Sequence, residues 1–119
     1  MMLVDTSVWV DFFRRGNTEL ESLLESGQVL MHPFILGELA CGHLKPRDQI
    51  LSDLAELPSA VVAGDDEVLY CIEQLQLMGQ GAGYLDMHLL ISARLGGDVR
   101  LWTLDKKLSK LVDSVLALH

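Results

Sequence analysis

Short apolar runs alternate along this chain with longer segments of helical period, and that alternation limits the fold more than any other feature. Met2 to Val4, "QVLMH", "AVVAG" and "VRLWTL" are too short for buried helices and read as strands. Between them apolar residues recur every three or four positions. Leu20, Leu23 and Leu24 share a face in "TELESLLES", and Val68, Leu69, Ile72 and Leu75 do so further on. Strands separated by helices pair in parallel, because a parallel partner needs a long crossover. The expected architecture is an α/β, three-layer α/β/α sandwich with a short, mostly parallel central sheet. It would form a single domain over residues 1–119.

Local signals punctuate the pattern. Thr6 or Ser7 is placed to cap a first helix that stops near Gly16, and Asn17 to cap a second that ends before Gly27. Pro33 suits the first position of a third helix, and Pro46 opens a fourth that halts before Pro58. Asp65 and Asp66 are expected to cap a fifth. The glycines of "GQGAG" form a loop, and "YLDMHLLISARLGG" is apolar almost all round, hence central and buried. Asp105 is placed to cap a last short helix, and "SVLAL" reads as an edge strand.

Composition narrows the setting. Hydrophobic residues make up 50% of the chain, enough for a packed core. Cys41 and Cys71 lie in apolar helical patterns without metal-ligand spacing, and read as reduced, buried thiols of a cytoplasmic protein. The opening apolar run has no basic segment before it and is too short for a signal peptide or a membrane span. A net charge of -8 argues against a nucleic-acid binder, unless some of the 17 acidic residues gather in one pocket and hold cations.

Four carboxylates suit such a pocket. Asp5 and Asp105 each follow an apolar strand, where open α/β sheets bind ligands, although each could equally cap the next helix. Glu38 shares its helix face with Phe34 and Cys41, so it is expected in a buried position. Asp86 opens the apolar sixth helix, where the helix dipole favours an anion; the glycines before it imply a close approach to the backbone. If the four converge, repulsion raises their pKa values and a divalent cation relieves it. Hard oxygen ligands select Mg²⁺ or Mn²⁺, and no His or Cys cluster points to zinc.

"LVDTSVWVDFF", "ILGELACG", "GYLDMHLLISA" and "LWTLDKKL", in that order, resemble the PIN-domain ribonucleases. More narrowly they resemble the VapC toxins of bacterial and archaeal toxin–antitoxin pairs. The resemblance spans essentially the whole chain. It implies that Asp5, Glu38, Asp86 and Asp105 form the catalytic and metal-binding pocket. It also implies that Thr103 positions water or a carboxylate. The family binds Mg²⁺ or Mn²⁺ and cuts single-stranded regions of RNA. Its members are commonly homodimers neutralised by a small antitoxin, whose other end binds operator DNA.

Lys106 and Lys107 directly follow Asp105 and are candidate contacts to RNA phosphate. His32, His43 and His88 share no spacing and read as structural or surface residues, with His88 drawing interest for its place two residues after Asp86. Trp9 and Trp102 read as core. Three other classes compete with a nuclease, of which a haloacid-dehalogenase-type phosphatase would need an Asp two residues after Asp5, where Ser7 stands. A phosphoacceptor receiver domain would need an acidic pair near the first strand and leaves Glu38 idle. A PIN-like module that binds protein without catalysis would keep the fold and lose turnover.

Overall fold

The computed structural model describes residues 1–116. Three strands, β1 (Met2–Val4), β2 (Val29–Leu30) and β3 (Arg100–Trp102), form a sheet of order β2-β1-β3. All pairings are parallel, with Met2 opposite Val29 and Arg100, and Leu3 opposite Leu30 and Leu101. Leu3 and Val4 are both fully buried. Successive strand side chains point to opposite faces, so helices cover the sheet on both sides, as the α/β/α expectation requires.

Among the described residues seven helices surround it: α1 (Thr6–Arg15), α2 (Thr18–Glu25), α3 (Pro33–Ala40), α4 (Arg47–Ala55), α5 (Asp65–Gln74), α6 (Tyr84–Leu95) and α7 (Lys106–Leu116). Their ends follow local chemistry. Asn17 accepts from the Leu20 N–H at 2.9 Å, and Gly16 closes α1 at a φ of 76° with its N–H on the Phe12 carbonyl. Pro33 occupies the first turn of α3, where its missing N–H costs nothing; His32 Nδ1 caps that helix through the Phe34 N–H. Residues 87–93 of α6 are all buried, so this helix is the central one.

Several expectations are corrected. The run at residues 60–64 is not a strand: Ser59 makes one parallel bridge to Met31, and then the chain departs. The Ala63 N–H goes to Ser92 Oγ instead of a neighbouring strand, and Val61 and Val62 lie half exposed. Ser114 to Leu116, placed in an edge strand by sequence, continue α7, because Leu108, Leu111 and Val115 bury one helical stripe. The rest of that segment lies outside the described residues. Asp65 and Asp66 fall inside α5, whose cap is Gly64, with Glu67 Oε1 reaching back to the Gly64 N–H at 2.9 Å. Leu69 is exposed, Cys41 is exposed and Cys71 only half-buried. Trp9 is buried as expected, and Trp102 is half-buried. No helix among the described residues is long and apolar enough to cross a membrane.

Candidate active site

Parallel pairing brings the carboxyl ends of β1, β2 and β3 to one edge. β1 delivers Asp5. β2 leads into α3 and so to Glu38. β3 leads through Thr103 to Asp105. Asp86, in the first turn of α6, completes the group.

Asp5 is buried, at 7% exposure. Its N–H bonds the Trp102 carbonyl at 2.9 Å, which extends the pairing of β1 and β3 past the strand ends. Although Asp5 stands at the cap of α1, its carboxylate caps nothing. Oδ2 accepts from Ser7 Oγ at 2.9 Å and from Thr103 Oγ1 at 2.8 Å. Each hydroxyl has one proton and gives it to Asp5. The Ser7 and Thr103 oxygens, 3.5 Å apart, therefore face each other as acceptors. Ser7 Oγ in turn accepts from the Leu104 N–H at 3.1 Å, and Thr103 Oγ1 from the Asp105 N–H at 3.1 Å.

The other acids are held singly. Glu38 is exposed, which corrects its expected burial: α3 turns Ile35 and Leu39 into the core and leaves Gly37 and Glu38 outside. Thr6 Oγ1 donates to Glu38 Oε1 at 2.8 Å. Asp105 is exposed and caps α7, with Oδ1 accepting from the N–H groups of Lys107 and Leu108 at 2.9 and 3.0 Å. Asp86 is half-buried, and its Oδ2 accepts from the Gly83 N–H at 3.3 Å. Burial raises the Asp86 carboxyl above the usual carboxylate range. Repulsion from Asp5, Asp105 and Glu38 adds to the rise, and the Gly83 N–H opposes it. Asp86 thus feels all three other acids.

Among the described residues, no three His, Cys, Asp or Glu side chains stand close enough to form a ready-made metal cage. The donor chemistry nevertheless suits a hard divalent cation. The four candidate acids offer carboxylate oxygens, with the hydroxyls of Thr6, Ser7 and Thr103 beside them. Each acid spends one oxygen on the protein's own donors, and its other oxygen accepts no hydrogen bond from the described residues. The charges repel, and only a cation or a proton relieves that.

The two lysines part company. Lys107 lies along the loop before α6: a β-carbon on Gly81 would come within 2.7 Å of its Cδ and 3.2 Å of its Nζ. Gly81, at a φ of +86°, is therefore needed for backbone shape, while the flexible Lys107 side chain beside it could move aside. The close approach expected at these glycines is made by the chain itself. Lys106 is exposed beside it. His88 is structural: buried in α6, it bonds Asp65 Oδ1 through Nε2 at 2.8 Å. Asp65 also accepts from the Tyr84 hydroxyl, whose pKa is pushed up to about 12, chiefly by that bond.

A family model described as "PIN domain" matches residues 2–113. The chain belongs to the PIN-domain family. Within it the chain is of the VapC type. It is 44% identical over 108 residues to Ribonuclease VapC32 of Mycobacterium tuberculosis strain CDC 1551 / Oshkosh, covering 91% of this chain and 87% of that protein. The same figures hold for Ribonuclease VapC32 of strain ATCC 25618 / H37Rv. The parallel sheet of this PIN domain, with acids at its carboxyl edge, agrees with the fold expected from the resemblance. Sequence reasoning missed the work of Thr6 and Ser7 in this PIN domain. Local sequence places one or the other as a cap, and only their partners, 32 and 97 positions away, reveal otherwise.

Proposed function

We propose that this PIN domain, acting as one unit over its 119 residues, is the toxin of a type II toxin–antitoxin pair. In this reading it is a cytoplasmic endoribonuclease that requires Mg²⁺ or Mn²⁺. The observation that carries the reading is the PIN-domain match over residues 2–113 with 44% identity to Ribonuclease VapC32; the environment of Asp86, raised first by burial and further by repulsion from Asp5, Asp105 and Glu38, supports it. Structural acids are normally placed to avoid such repulsion; acids that hold a cation need it.

Asp5 and Asp86 would hold the ion, with Glu38 and Asp105 completing the set. A divalent cation there supplies positive charge for the phosphodiester and makes water a better nucleophile at neutral pH. The water oxygen bonds to phosphorus as the bond to the 3′ oxygen breaks, and that oxygen leaves as a hydroxyl by taking a proton from solvent. Glu38, exposed at the rim, is placed to accept the proton that water gives up. Thr103 and Ser7 orient Asp5 by each donating a hydrogen bond to its Oδ2. Lys106 and Lys107 contact RNA phosphate. Lys107, laid along the loop that leads to Asp86, brings positive charge to an acidic edge. The partners are single-stranded RNA, a cognate antitoxin and a second copy of this chain, with DNA met only through the antitoxin.

The test uses the purified chain freed of antitoxin, structured RNA, and Mg²⁺ or Mn²⁺. Wild type is expected to cleave. Asp5→Asn is expected to lose cleavage by about 100-fold or more while keeping its circular dichroism spectrum. Identical RNA patterns from the two would leave a protein-binding module without turnover. Unfolding of Asp5→Asn would return Asp5 to a structural role.

A further inference from the structure

The acids alone do not explain the two hydroxyl residues between them. Thr6 and Ser7 are consecutive in the first turn of α1, yet their hydrogen bonds lead away from that helix. Thr6 Oγ1 reaches α3, where it donates to Glu38 at 2.8 Å. Ser7 Oγ donates to Asp5 at 2.9 Å and accepts from the Leu104 N–H at 3.1 Å, in the turn that carries Asp105. Consecutive helix positions are rotated by about 100°, so one pair of neighbours can serve two different walls.

Each contact does something the acids need. Glu38 is exposed, and a free glutamate spreads over many rotamers. Among the described residues its only side-chain hydrogen bond is the one from Thr6. Ser7 locks the start of α1 to the turn after β3, so Asp5 and Asp105 keep one separation. A hydroxyl is suited to this because it occupies a single carboxylate oxygen and brings no charge. Lysine or arginine would grip Glu38 harder, but would neutralise it and repel a cation.

We propose that Thr6 and Ser7 are a positioning pair: from one turn of α1 they aim Glu38, Asp5 and, through the backbone, Asp105 at a common cation. The proposal rests on the nuclease reading above. Neither residue touches the reacting atoms, so the loss should appear first in metal affinity.

The experiment titrates Mn²⁺ into the metal-free full chain by calorimetry without RNA, and separately measures RNA cleavage against Mn²⁺ concentration. Thr6→Val and Ser7→Ala are expected to weaken Mn²⁺ binding about 10–100-fold and to shift the half-maximal Mn²⁺ concentration for cleavage by the same factor. Thr6→Ser, which keeps the donor, is expected to restore wild-type affinity. A purely structural role would lower the metal-free melting temperature of Thr6→Val and leave its Mn²⁺ affinity unchanged; that result overturns the proposal. So does a Thr6→Ser chain as weak as Thr6→Val. Asp5→Asn, run alongside, separates the two claims. If it binds Mn²⁺ and cleaves like wild type, the nuclease reading of this site fails. If it fails while Thr6→Val behaves as wild type, only the positioning pair falls.

Discussion

Thr103 Oγ1 lies 2.8 Å from Asp5 Oδ2, although the two residues are 98 positions apart in sequence. The same oxygen accepts the Asp105 N–H at 3.1 Å, so one buried hydroxyl joins the acid after β1 to the acid after β3. Thr103→Val should therefore remove two hydrogen bonds and leave a buried carboxylate oxygen short of a donor. The expected cost is about 1–3 kcal/mol of stability, with a drop in cleavage of roughly tenfold or more. Thr103→Ser should recover most of both. Urea unfolding and cleavage rates on the three proteins check this.

The Asp86 carboxyl is raised by burial first and by its acidic neighbours second. A carboxyl whose folded pKa lies above its unfolded value of 3.8 favours folding when protonated. That contribution is complete below the unfolded pKa and is lost as pH rises through the folded one. At neutral pH without metal, the ionised group works against the fold. Asp86→Asn, which keeps an oxygen for the Gly83 N–H, should raise the melting temperature in EDTA at pH 7 by roughly 2–5 °C. The gain should shrink toward pH 4, and cleavage should be lost. Melting curves across that range decide it.

Mg²⁺ or Mn²⁺ should stabilise wild type, because a ligand of the folded state alone shifts the unfolding equilibrium. The gain is about 2.7 kcal/mol at a concentration 100 times the Kd. Asp5→Asn and Asp86→Asn should lose most of that increment. Thermal melts with and without the ion measure it, independent of any RNA.

His32 is fully buried, accepts from the Phe34 N–H through Nδ1, and meets Ser92 Oγ through Nε2 at 3.3 Å. With Nδ1 accepting, the ring proton sits on Nε2 and the imidazole is neutral. Burial, then the proximity of His88, lowers its pKa from 6.5. A histidine with a depressed folded pKa supports the fold above its unfolded pKa, and that support is lost as pH falls below about 6.5. Denaturation between pH 8 and 5 should show a falling stability whose His32 share is at most about 1.4 kcal/mol per pH unit. His32→Asn keeps an acceptor for the Phe34 N–H and should flatten that share of the slope.

The legible parts of this protein are those that depend on neighbours in sequence. The apolar character of β1, the Asn17 cap, Pro33 at the head of α3 and the buried run of α6 all follow from spacing and residue type. The four candidate acids were readable for the same reason: each stands at a strand end or a helix start, or breaks an apolar face. Where the local signal was ambiguous, the reading failed. "AVVAG" has strand composition, but the Ala63 N–H has a side-chain partner in Ser92, 29 residues away. Glu38 and Leu69 share faces with apolar residues, yet burial depends on which arc of the helix meets the core, and both fall outside it.

Thus the sequence by itself determined the alternation of strands and helices, and with it a parallel sheet whose carboxyl edge collects the acids. Only the tertiary structure decided how those acids are held. It turned Thr6 and Ser7, one or the other of them an expected cap, into donors for Glu38 and Asp5, set Lys107 along Gly81, and put Asp86 within the field of three other charges. The physical reason is range. Hydrophobic period and capping act over a few residues, whereas hydrogen bonds and repulsion among carboxylates depend on distances in space that folding alone creates.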